Sequence, residues 1–158
     1  MLVSIKELSK YVDLSGLSPE EVAHGLTFAG IEVEEVSTLA TGTNLTIGHI
    51  LECEKHPDSD HLHVLKVDLG KKYGVEQIVC GAPNARVGLK AVVALIGAEL
   101  PGDFKIKKSK IRGVESFGMM CSLEELGIEH KYLRPQDTEG IIELGEDAVP
   151  GEDPIKYF

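Results

Sequence analysis

The pattern that most restricts the fold is a succession of short, β-rich apolar runs, each closed by a turn signal, through the middle of the 158-residue chain. The runs Leu45–Glu54, Leu62–Leu69, Val75–Cys80, Lys90–Ile96 and Phe104–Ile111 predict five strands. Between them lie H-P-D-S-D, G-K-K-Y-G, G-A-P-N and L-P-G-D, rich in residues that set turn dihedrals or bond their own backbone. Gly140 to Leu144 reads as a further late strand. No apolar run approaches the length of a membrane span.

The segment before the strands has a different grammar. Ser4 with Glu7, and Ser18 with Pro19 and Glu21, are helix-start signals ahead of Ile5, Leu8 and Val12, and of Val22, Ala23 and Leu26. Gly30 stops the second helix, and Ile31 to Val36 alternates as a strand with Glu32 and Glu34 outward. We therefore expect a small α/β unit over 1–40, with 148–158 as a candidate to complete it, and a β domain over 41–147 after the linker T-L-A-T-G-T-N. So little apolar area predicts that the first unit is not stable alone. Five strands and a final short helix, started by Ser122 and Glu125, fit an α+β, mainly β architecture: an OB-fold barrel inserted after the α/β unit. Periodicity leaves an SH3-like barrel or a sandwich open. The ending G-E-D-P-I-K-Y-F carries no stop signal, so a longer parent chain is expected.

Charge is unevenly distributed. The net charge is −10, but residues 44–127 hold eleven cations and eleven acids, while 1–43 hold two against seven and 128–158 three against eight. Within the neutral middle, Lys105, Lys107, Lys108, Lys110 and Arg112 fall in eight residues, interleaved with Phe104, Ile106 and Ile111. A strand of this pattern would bury its apolar side and present its lysines to an anionic partner; a solvated strand face is the competing reading. The following G-V-E-S-F-G-M-M-C-S adds hydroxyls, a ring and two methionines, groups that meet phosphates and exposed bases. Salt-sensitive binding of modest affinity is the expectation.

Other constellations are weaker. His56, Asp58, Asp60, His61 and His63 are metal-ligand types, but the turn they sit in is the simpler explanation. Cys53, Cys80 and Cys121 form no C-x-x-C pair and read as small buried hydrophobes. Of the neighbours Met119 and Met120, one is expected inside and one available. The chain has no phosphate-cradling glycine motif, and no nucleophile with a base is in view.

Four pieces carry a specific resemblance: H-P-D-S-D-H-L-H-V-L-K-V-D-L-G, I-V-C-G-A-P-N-A-R-V-G, V-A-L-I-G-A-E-L-P and I-K-K-S-K-I-R-G-V-E-S-F-G-M-M-C-S. They resemble the tRNA-binding domain shared by bacterial phenylalanyl-tRNA synthetase beta chains, the appendix of some methionyl-tRNA synthetases and free-standing tRNA-binding proteins. The preceding M-L-V-S-I-K-E-L-S-K-Y-V-D-L and L-S-P-E-E-V-A-H-G-L-T-F-A-G-I-E-V-E-E-V are similar to the N-terminus of the synthetase beta chain, so the resemblance spans the whole sequence. It implies an accessory tRNA-binding module without enzymatic activity of its own, belonging to a phenylalanine–tRNA ligase. It further implies tRNA-facing Lys105, Lys107, Lys108, Lys110, Arg112, Ser116, Met119 and Ser122, with Asn84 and Arg86 in the G-A-P-N-x-R loop. Implied partners are tRNA, the synthetase alpha chain and a second beta chain in a heterotetramer; no membrane, no metal and no cofactor in these residues; ATP and magnesium handled elsewhere in the parent; and the cytoplasm as location. His49 and His61 stand where relatives often carry lysine, which lowers the positive field. A scaffold role in the synthetase and an autonomous tRNA-binding protein are the alternatives.

Overall fold

The structure is a computed structural model that describes residues 1–38 and 40–157; Leu39, within the expected linker, and Phe158, closing the 148–158 segment, lie outside the described residues. Two compact units are present, 1–38 and 39–158.

The first unit holds α1 (Ile5–Leu8) and α2 (Pro19–Phe28). Both start as their sequences dictate. Glu7 N–H donates to Ser4 Oγ, and a reciprocal pair joins Ser18 to Glu21, with Pro19 at the first helical position. Val22, Ala23 and Leu26 are the half-buried side of α2, yet neither helix contains a buried residue. The strand expected over Ile31–Val36 does not form. The unit offers no second strand to ladder with, and Val33 N–H bonds instead to Thr27 Oγ1 at 3.2 Å.

The second unit is the barrel. Its strands are β1 (Leu45–Lys55), β2 (His63–Asp68), β3 (Val75–Cys80), β4 (Lys90–Leu95) and β9 (Gly118–Met120), hydrogen-bonded in the order β3-β2-β1-β4-β9, every pair antiparallel. Two short hairpins stand apart from this sheet: β5 (Glu99–Leu100) with β6 (Phe104–Lys105), and β7 (Ser109–Ile111) with β8 (Val114–Ser116). Long β1 pairs on both edges and bulges between Ile50 and Glu52, the bend that lets one strand serve two halves of a barrel. The wall is tightest at Gly48, where a Cβ would lie 2.5 Å from Val67 Cγ1 and 2.7 Å from Val93 Cγ2.

β4 explains why its sequence is apolar without alternation. Ala91, Val93 and Leu95 enter the barrel interior with Ile50, Leu65, Val67, Ile78 and Met120, while Val92 and Ala94 face a second cluster with Leu100, Ile106, Cys121, Leu126 and Ile142. Both faces are covered, so both must be apolar. Cys80 and Cys121 are buried and Cys53 half-buried, and all three are free thiols. Burial pushes the Cys121 thiol up to about 12, which makes it inert as a nucleophile.

The fifth barrel strand is Gly118–Met120, not Phe104–Ile111. The basic run breaks because Ile106 turns inward, its N–H donating to Ala98 O at 2.8 Å, which leaves Lys107 and Lys108 outside any ladder. Ser122 and Glu125 do form their reciprocal bonds, but they cap a single turn, not a helix. Residues 140–144 run beside the sheet edge with one isolated bridge, Leu144 to Lys90. The segment considered for completing the first unit is bonded to the barrel: Gly151 N–H donates to Ile47 O and Ile47 N–H to Glu152 O, at 2.9 and 3.0 Å.

Candidate nucleic-acid interface

The basic run becomes two turns of chain held out from the barrel. Lys105 ends β6, Lys107 and Lys108 form the link, Lys110 lies in β7 and Arg112 opens the β7–β8 turn; all five are exposed. That turn has Arg112 and Gly113 at φ +47° and +86°, the left-handed pair that a two-residue hairpin with native twist requires. Among the described residues Lys105, Lys107 and Lys110 pair with no carboxylate, whereas Lys108 sits 3.2 Å from Glu115 and 4.9 Å from the centre of the Phe117 ring. Phe104, at the start of the run, is 54% exposed. Cations interleaved with accessible rings suit a single-stranded polyanion.

His56 fixes this hairpin to the barrel. Its ring is 2% exposed; Nδ1 accepts the Asp58 N–H at 2.9 Å, so the ring hydrogen is on Nε2 and is donated to Ile111 O at 3.0 Å. Arg112 adds a second tie, Nη1 to Asp58 O at 2.9 Å. His56 therefore has a structural explanation, and among the described residues no three His, Cys, Asp or Glu side chains converge as metal ligands do. Its signal in the sequence was the H-P-D turn itself, whose histidine sits one residue before a proline with no role for a solvated imidazole.

The remaining residues implied by resemblance are separated from the cationic run by their own bonding. Ser116 is 1% exposed and saturated: it accepts the Val79 N–H and donates to Gly118 O, both at 3.0 Å, substituting a side chain for a ladder bond where β3 meets β9. Beside it Phe117 N–H donates to Gln77 O at 2.9 Å. Met120 fills the barrel, and Met119 is half-buried against the second cluster, so neither methionine stands free. Ser122 is engaged with Glu125.

Asn84 and Arg86 form a separate clamp. Asn84 exchanges hydrogen bonds with the Ile141 backbone at 2.8 and 2.9 Å, and Arg86 meets Glu143 through two N–H groups at 2.9 and 3.0 Å. The Arg86 bonds, then that of Asn84, hold the Glu143 carboxyl down to about 2. The charge of Arg86 is thus spent on Glu143. His49 lies across from Asp68 and Lys90 in the sheet, and His61 is exposed beside Ser59.

Residues 45–153 match the family described as "Putative tRNA binding domain". The chain belongs to this tRNA-binding domain family. It is also similar to the phenylalanine–tRNA ligase beta subunits of Halalkalibacterium halodurans, 49% identical over 99% of this chain and 19% of that protein, and Geobacillus kaustophilus, 50% identical over 100% and 20%. It thus spans about a fifth of the length of the curated relatives it matches. Among solved structures, a MetRS related protein from Pyrococcus horikoshii aligns with a TM-score of 0.45 and 19% identity, covering 68% of this chain and 84% of that one.

Proposed function

We propose that the barrel is an accessory tRNA-binding module of a phenylalanine–tRNA ligase beta chain, and that it captures the tRNA backbone with Lys105, Lys107, Lys108, Lys110 and Arg112. The observation that carries this reading is the exposed, largely unpaired cationic run on a barrel of the tRNA-binding family. The module raises the local concentration of tRNA for a catalytic unit elsewhere, with backbone phosphates giving most of the affinity and unstacked bases meeting Phe104 and Phe117. ATP and magnesium are handled outside these residues, in a cytoplasmic heterotetramer of two alpha and two beta chains. Binding of the chain to unmodified tRNA across a salt series tests the proposal. Micromolar affinity should fall with a log-log slope of about −0.7 to −0.9 per phosphate contact, and Lys108→Glu with Lys110→Glu should abolish it. Absence of binding at low salt would refute it.

A second role, as scaffold, is favoured for residues 1–38 by one observation: Leu2, Tyr11 and Phe28 are 78%, 84% and 84% exposed in a unit without buried helix residues. Apolar groups so displayed suit burial against the rest of a large assembly.

A further inference from the structure

The cationic run does not end at the hairpin surface. Between the β1–β2 turn and the tip of the β7–β8 hairpin lies a cleft of about 460 Å³, the size of small-ligand sites, walled by Lys55, His56, Asp58, Asp60 and Arg112 among others. Its chemistry is mixed. Lys55, at the end of β1, has no partner among the described residues, and Arg112 spends one of its five N–H donors on Asp58 O. The same cleft is lined by two acidic residues, Asp58 and Asp60. Two carboxylates disfavour a bare polyanion, and two cations disfavour a metal ion. A ligand with one anionic group and one hydroxyl donor satisfies both halves.

Two features show that the cleft is built in advance. Arg112 is fixed in position by the turn it opens, at φ +47°, and by its bond to Asp58 O, so its remaining N–H donors are presented from a set place. Asp58 is held from both sides, its N–H by His56 Nδ1 and its carbonyl by Arg112, which fixes the backbone that carries its carboxylate. Asp60 has no such hold among the described residues.

Resting on the RNA-binding reading above, we propose that this cleft seats one ribose-phosphate unit of the bound RNA, with the phosphate on Lys55 and Arg112 and the 2′-hydroxyl donating to the Asp58 carboxylate. The cleft then distinguishes RNA from DNA, a task the lysine run cannot perform because both polymers carry the same phosphates.

Equilibrium binding of the whole chain to a single-stranded oligoribonucleotide, to DNA of the same sequence and to the 2′-O-methyl form, at one salt concentration, tests this. The expected preference for RNA is about tenfold, the factor one hydrogen bond to a charged acceptor contributes. The 2′-O-methyl strand should bind like DNA. Asp58→Ala should bring RNA down to the level of DNA without weakening DNA, and Lys55→Ala should weaken both. Lys110→Ala, which removes a single cation of the run, lowers both affinities and leaves their ratio intact. Equal binding of RNA and DNA by the unaltered chain, or an RNA preference that survives Asp58→Ala, overturns the cleft assignment alone. Failure to bind any of the three overturns the RNA-binding reading and the cleft with it.

Discussion

Lys108 Nζ lies 3.2 Å from Glu115 Oε1, and Glu115 stands across from Lys110 in the β7–β8 ladder without forming an ion pair with it. Both members of the Lys108–Glu115 pair are about half exposed, so the pair contributes little to stability. Its effect falls on the field a polyanion meets. Glu115→Gln should raise tRNA affinity about twofold to fivefold at low salt, roughly the 0.5–1 kcal/mol of one screened charge. The two proteins should converge as salt rises and the Debye length shrinks. Parallel salt titrations check this; equal affinities at low salt would show that Glu115 does not face the bound nucleic acid.

Ser116 offers a sharp contrast, because its hydroxyl closes the barrel seam between Val79 N–H and Gly118 O. Ser116→Ala leaves a buried N–H without an acceptor and should cost about 1–3 kcal/mol, read as a lowered urea midpoint. RNA affinity measured where the variant is still folded should not change. Weaker binding at full stability would return Ser116 to the interface.

Much of this was legible in the residues. Val75–Cys80 forms the strand its β-branched residues predict, and β1, β2 and β4 fall within two residues of their expected ends. The basic run alternates like one strand, but its two ends pair with different partners, Phe104–Lys105 with β5 and Ser109–Ile111 with β8, and Lys107 and Lys108 between them join no ladder. The true fifth strand is three residues long, too short to leave a period. Ser116, Asn84 and Arg86 have the chemistry of RNA contacts, and their actual partners lie 37, 57 and 57 residues away, a relation that composition and spacing do not encode.

The Asn84–Arg86–Glu143 clamp gives the fold a specific acid response. Glu143 has a folded pKa of about 2, below its ordinary 4.5. A depressed carboxylate stabilises the fold above the unfolded value and loses that contribution as pH falls through the folded one. The loss therefore lies between about pH 4.5 and pH 2. The pair is half exposed, and with screening it should amount to about 1 kcal/mol. Glu143→Gln should be less stable by that amount at pH 7, with the difference mostly gone by pH 2 and absent below it, as measured by denaturation at each pH. A difference at pH 2 as large as that at pH 7 would mean that the side chain acts by packing and not by charge.

The two units should differ most in their local stability. α1 has four residues and α2 ten, below the length at which isolated helices persist in water, and neither buries a side chain. Their capping bonds add about 1 kcal/mol each, too little to offset chain entropy without a core. In the barrel, by contrast, β4 is buried on both faces and β1 is laddered on both edges. Hydrogen exchange of the 158-residue chain should therefore show amides of 19–28 exchanging near the unprotected rate, while those of Ile47, Val92 and Ala94 exchange only through global opening. Truncation to residues 39–158 should leave the urea midpoint unchanged within error. Protection in α2 equal to that of β4, or a lowered midpoint on truncation, would mean that the first unit contributes to the barrel's own stability.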